Sequence, residues 1–270
     1  MKFTILTDNI SNDNVNGEWG LCVYIEYNGK KILLDTGASD LFIKNAEIYD
    51  IHLENVDMAV LSHAHCDHAK GMEPFFLINQ KAKFYLQATT KENCYSRKSI
   101  FPKYIGIPKG ILNKYSDRIE FVSGDYKLCD GVYLISHKTP GLESIGKQEK
   151  MYIRKGITWH PDNFSHEQSL VFDTSKGLII FNSCSHTGAD TVINEINSTF
   201  PDKCVYALIG GFHLFNKSEI AIRDLAHKVK NTNVNYICTG HCTGNSAYHI
   251  LREELGDIIL QFYVGFSMEL

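Results

Sequence analysis

No stretch of the 270 residues approaches the roughly 20 consecutive apolar residues that span a bilayer. There is no basic surplus either. The net charge is −4, which gives no general reason to expect nucleic-acid binding. Proline is scarce, at six residues, and with 20 glycines this excludes a collagen-like or linker-dominated chain. The eight cysteines contain no CxxC pair and are scattered, so they read as reduced thiols rather than a disulfide framework. No GxGxxG follows a strand, and neither GxxxxGK[ST] nor a GxSxG elbow occurs, which removes the dinucleotide, P-loop and serine-nucleophile readings. The opening MKFTILTDN meets Asp8 before an apolar signal region can form, so a cytoplasmic location is expected.

What is present suits a globular protein: 44% hydrophobic and 21% charged residues allow a sizeable core. Short apolar, β-branched runs such as KFTILT, LCVYIEY, KKILLD, DMAVLS, QSLVFDT, GLIIFNS and CVYALIG predict many strands. Helical spacing predicts helices over Asp40 to Asp50, Ala189 to Phe200, Ser218 to Lys230 and Asn245 to Leu255. In the third of these, Ile220, Ile222, Leu225 and Val229 form the expected apolar stripe. Many strands with fewer helices predict an α/β (α+β) domain of two stacked sheets covered by helices, one domain over 1–270. Two Lys-rich segments, near 90–116 and 139–164, show neither pattern and read as irregular lids. Lys91 to Arg118 carries a net +5, leaving −9 on the rest of the chain.

The sharpest signal is LSHAHCDHAKG, where His63, His65, Asp67 and His68 fall within six residues just past an apolar strand. Imidazoles and a carboxylate suit zinc, iron or manganese. In an extended segment His63, His65 and Asp67 point to one side, and His68 can turn to a second metal. Further histidines follow strands, at His186 in FNSCSHTG, His213 in GGFHLF and His241 in CTGHCTGN. Asp35 closes LLDTG and can accept an imidazole N–H or make a turn bond. Cys238 and Cys242 flank His241, with no second pair to complete a zinc spacing.

HxHxDH after an apolar strand resembles the metal-binding signature of the metallo-β-lactamase-fold hydrolases. KILLDTG, HEQSLVF, NSCSHTG, GGFHL and GHCTG resemble the other motifs of one branch. That branch is named after 7,8-dihydropterin-6-methyl-4-(β-D-ribofuranosyl)aminobenzene-5'-phosphate synthase. The resemblance implies a four-layer αββα sandwich with two divalent metal ions, zinc first, with iron or manganese as alternatives. It implies that His63, His65 and His186 hold one metal and Asp67, His68 and His241 the other. Cys184 and His166 are alternatives for the third and bridging ligands, which other branches take from a His and an Asp missing here. Asp67 and His213 are the expected catalytic residues. The implied activity is hydrolysis of a small, anionic ester, phosphodiester or lactone by metal-activated water. The alternatives are a pterin-type synthase or transferase, or a metal-binding ligand sensor. A small-molecule substrate is the only partner expected, with neither membrane nor nucleic acid; the substrate-binding residues and the oligomeric state have no sequence signal.

Overall fold

The computed structural model describes residues 1–12 and 15–270. The chain divides into two compact units. One comprises Met1–Ser123, Gly141–Glu167 and Tyr263–Leu270, and the other Gly124–Pro140 and Gln168–Phe262.

The first unit is built on a seven-stranded sheet. Its order is Ser267–Glu269, Lys2–Thr7, Cys22–Tyr27, Lys30–Leu34, Met58–Val60, Lys83–Gln87 and Ile119–Val122. Pairing is antiparallel up to Lys30–Leu34 and parallel beyond it. Parallel strands need crossovers, and the helices Leu41–Ile48 and Met72–Ile78 supply two of them. These bury Phe42, Ala46, Met72, Phe75 and Phe76 in one apolar cluster with Leu33, Ala59 and Phe84. Leu34 pairs with Val60, so the turns after both strands leave the same end of the sheet side by side. One turn begins at Asp35 and the other runs into His63. Carboxyl ends of adjacent parallel strands are where such sheets build ligand sites.

Residues 90–116 and 139–164 are not wholly irregular. Four short strands pair in the order Thr158–Pro161, Met151–Lys155, Cys94–Ser96 and Lys103–Tyr104. Alternation explains this sheet. Cys94 and Met151 are buried beneath it, and Ile153 packs on the core. Tyr95, Tyr152 and Trp159 are half-buried and lie against one another or against cations: the Tyr95 and Trp159 rings are 5.0 Å apart, and Arg97 stacks over Tyr152 at 5.2 Å and Trp159 at 5.3 Å. At the hairpin tip Ile100 and Phe101 are 94% and 81% exposed.

The second unit repeats the logic of the first. Its seven strands run in the order Ile259–Gln261, Tyr236–Thr239, Val205–Gly210, Gly177–Phe181, Gln168–Thr174, Val132–Ser136 and Tyr126–Cys129. The first four are parallel and the rest antiparallel. The helices Ala189–Thr199, Glu219–Lys230 and Asn245–Leu255 pack Val192, Ile193, Ile222, Ala226, Val229, Ala247 and Leu251 into one cluster. Ile220 departs from its expected place in the stripe and is 83% exposed. It stands in the first turn, just after the Ser218 cap, whose side chain accepts the Ala221 N–H. Among the described residues no helix is long and apolar enough to cross a membrane.

Candidate metal centre

In the first unit the site is built outward from Asp35. Its backbone lies in the left-handed region at φ 60°, and its N–H donates to the Val60 carbonyl at 2.9 Å. That conformation is costly for a residue with a Cβ and is kept where surrounding bonds over-determine it. Here they do. Asp35 Oδ1 accepts the Ser62 N–H at 2.7 Å, and Oδ2 accepts the Ser62 hydroxyl at 2.7 Å and the His68 ring at 2.8 Å. All three residues are buried.

These bonds fix where the ring protons sit. A carboxylate only accepts, so His68 donates from Nδ1. The Ser62 hydroxyl has given its proton to Asp35, so at 2.8 Å it accepts from His63 Nδ1–H. In the neutral form of either ring, a proton on Nδ1 puts the lone pair on Nε2. The His63 ring centroid is 4.2 Å from that of His68 and 4.6 Å from that of His65. Neutral imidazoles oriented by a carboxylate are what a divalent metal requires of its histidine ligands, so the residues present fit the group.

Asp67 does not lie on an extended segment, as the alternating pattern predicted. Cys66–Ala69 forms a helical turn, so the alternation of an extended segment ends at His65. Asp67 Oδ2 lies 3.8 Å from His68 Nε2 and accepts the Trp19 indole N–H at 3.0 Å. Its carbonyl accepts the Leu21 N–H at 3.2 Å. Gly20 makes that approach feasible, since a Cβ there would stand 2.7 Å from the Asp67 carbonyl oxygen. Trp19 carried no sequence signal, because its role depends on the fold bringing residue 19 to residue 67. Cys66 is half-buried, and burial raises its thiol pKa above the ordinary value.

In the second unit the three loops leaving adjacent parallel strands bring Cys184, His186, His213, His241 and Cys242 together. Candidate ligand atoms of Cys184, His186 and His213 lie within 4.8 Å of one another, as do those of Cys184, His241 and Cys242. Ser185, His213 and His241 all have positive φ, at 43°, 50° and 49°. The His186 and His213 ring centroids are 4.8 Å apart. Cys184 and Cys242 were not linked by spacing, yet their sulfurs are 3.4 Å apart. Burial works to raise the Cys242 thiol, but its hydrogen bond with Cys184 and the His241 and His213 rings hold it well below its ordinary pKa. Gly211 serves packing rather than a ligand, because a Cβ there would meet the Cys242 sulfur at 2.5 Å and the Ser183 carbonyl at 2.8 Å.

Comparison with known proteins agrees with these motifs. The chain is 29% identical over 262 residues to the 7,8-dihydropterin-6-methyl-4-(beta-D-ribofuranosyl)-aminobenzene-5'-phosphate synthase of Methanocaldococcus jannaschii, covering 90% of this chain and 86% of that protein. It is 28% identical over 250 residues to the uncharacterized protein MJ0448 of the same organism, covering 90% and 91%. Its fold matches the crystal structure of Tm1679, a metal-dependent hydrolase of the beta-lactamase superfamily, with a TM-score of 0.84 and 26% identity over 100% of this chain and 99% of that one. Residues 18–194 match the family model of the metallo-beta-lactamase superfamily. The chain, a mixed α/β protein with several sheets, belongs to the metallo-beta-lactamase superfamily.

Proposed function

We propose that the chain is a metal-dependent hydrolase that opens a small anionic ester, phosphodiester or lactone with water. The observation that carries this reading is the Asp35–Ser62–His63–His68 array, in which two buried imidazoles are held through Nδ1 at a sheet's carboxyl end, the arrangement that directs Nε2 of a neutral ring to a metal. The proposed ligands are His63, His65, Asp67, His68, His186 and His241, with zinc the expected metal. Divalent metals on such donors acidify water and polarise the oxygen under attack. The protein's own part is to hold the donors and move a proton. Asp35 keeps His63 and His68 in the required tautomer. Trp19 fixes the orientation of Asp67 through the indole N–H. His213, whose ring centroid is 4.8 Å from that of His186, is the proposed donor of a proton to the leaving oxygen.

Metal analysis of the purified protein, then assays on phosphodiesters, esters and lactones, tests the reading. About two metal ions per chain are expected, and Asp67→Ala should lose about one of them. A metal-free wild type, or activity indifferent to chelation, would overturn it.

One observation favours a second reading. The Methanocaldococcus jannaschii relative is a synthase, so this chain is alternatively a pterin-type synthase. Turnover in water enriched in oxygen-18 separates the two. A hydrolase places the heavy oxygen in one product, whereas a synthase that joins two substrates leaves it in the solvent.

A further inference from the structure

Outside the proposed ligand set, His166 and Asp162 reach the loop that carries His63 and His65. We propose that this pair is a positioning device, holding the loop in its metal-binding conformation; the inference rests on the metal-dependent reading of that loop. Both residues are buried. Ala64, which lies between the two histidines, donates its backbone N–H to His166 Nδ1 at 3.2 Å. Nδ1 is therefore an acceptor, and the ring proton sits on Nε2. That N–H faces Asp162 Oδ2 at 3.1 Å. Asp162 is itself fixed, because its Oδ1 accepts the Phe164 N–H at 2.8 Å and its own N–H donates to the Met151 carbonyl at 3.0 Å. Met151 belongs to the four-stranded outer sheet. A continuous chain of bonds thus runs from that sheet through Asp162 and His166 to Ala64. The sheet also holds the loop through backbone contacts, with Cys66 N–H donating to the Ile105 carbonyl at 2.8 Å and His65 bridging to Gly106.

The same residues invite another reading. His65, Cys94, Asp162 and His166 have candidate ligand atoms within 4.8 Å of one another, a donor set that suits zinc. The tautomer argues against it. A neutral imidazole that binds metal through Nε2 carries its proton on Nδ1 and donates it outward. Here Nδ1 faces the Ala64 N–H, so a proton on it would set donor against donor. Asp162 and His166 therefore act on the loop and not on a metal of their own.

The test uses the whole protein and two substitutions of one residue. His166→Asn keeps an acceptor near the Nδ1 position, and His166→Phe removes it while filling the space. In metal-free protein, hydrogen exchange at the Ala64 amide should be slow in the wild type, close to that rate in His166→Asn, and about tenfold or more faster in His166→Phe. Zinc affinity, measured against a chelator, should fall about 10- to 100-fold in His166→Phe with the number of zinc ions unchanged, and return most of the way in His166→Asn. Equal protection of Ala64 in the wild type and His166→Phe would overturn the proposal. So would His166→Asn binding zinc as weakly as His166→Phe, and so would the loss of one zinc ion, which would make His166 a ligand. Should His166→Phe fail to fold, Asp162→Ala should show faster Ala64 exchange and weaker zinc binding than the wild type, and wild-type behaviour in it would count against the pair. A wild type that binds no zinc defeats the proposed function, while the amide measurement still decides the role of His166.

Discussion

Asp35 is where one residue carries the most. Its carboxylate satisfies Ser62 twice and His68 once, all away from solvent. Asp35→Ala would leave the Ser62 N–H and the His68 Nδ1–H buried with nothing to accept them, at a cost of about 1–3 kcal/mol each. It would also free the tautomers of His63 and His68. The expected result is an apo protein that unfolds at lower urea and binds zinc about 10- to 100-fold more weakly. Competition with a chelator reads the second effect independently of the first, and unchanged zinc affinity would show that the rings are oriented without the carboxylate. At this scale the sequence was informative wherever chemistry is dense along the chain. His63, His65, Asp67 and His68 stand together in LSHAHCDH, and the Asp35 turn is visible as LLDTG. Partners that depend on tertiary approach left no trace. The Trp19 indole meets Asp67 across 48 positions, and the Cys184 sulfur meets Cys242 across 58.

Among elements, the helix Ala189–Thr199 shows how a loop is tied down. Glu195 on this helix accepts from His137 Nδ1 at 2.8 Å, from the Lys138 and Thr139 N–H groups at 2.9 and 2.8 Å, and from the Thr139 hydroxyl at 2.6 Å. Burial works to raise the Glu195 pKa, but the His137 ring and these donors hold the carboxyl below its ordinary value. A depressed folded-state pKa contributes stability that is fully present above the unfolded value of about 4.3 and lost as pH falls through the folded one. Glu195→Ala should therefore cost about 1–3 kcal/mol at neutral pH, with the gap to wild type narrowing in acid below the ordinary carboxylate range. Thermal melts across that range check both points, and a gap that stayed constant into acid would remove the charged bond from the explanation. Long strands and amphipathic helices were legible because their period repeats over many residues. The outer sheet was not. Its strands Cys94–Ser96 and Lys103–Tyr104 are three and two residues long, and its register joins Tyr95 to Tyr152 across 57 positions. Too few alternations exist in CYS or KY to reveal a period of two.

At the scale of the whole molecule, charge is distributed unevenly, with +5 over Lys91 to Arg118 against −9 elsewhere. The structure sorts those cations by the work they already do. Arg118 donates to the Ala82 and Asn79 carbonyls at 3.0 Å and stacks on Phe76 at 5.3 Å. Lys114 pairs with Glu73, and Lys109 lies 4.2 Å from the Tyr104 ring centroid. The rings of Tyr104, Tyr152 and Trp159 are thus faced by the protein's own cations, Lys109 and Arg97. Among the described residues, Lys91 and Lys103 are exposed and share in no ion pair or ring contact of this kind, which makes them charges able to act at a distance. Exposed charges steer an anion into a site and lose that effect as salt screens them, with a Debye length of about 10 Å at 0.1 M. Reversing both, Lys91→Glu with Lys103→Glu, should lower kcat/KM for an anionic ester several-fold at low salt and leave a neutral ester unchanged. Salt should shrink the difference, because the variant alters encounter rather than the chemistry at the loop of His63. The melting temperature should hardly move, since Lys91 lies outside the sheet and Lys103 pairs with Ser96 through its backbone, which the substitution keeps. Equal losses on both esters, or a loss that persists in high salt, would mean that the two residues act by contact or by shape and that the basic segment does not steer the substrate.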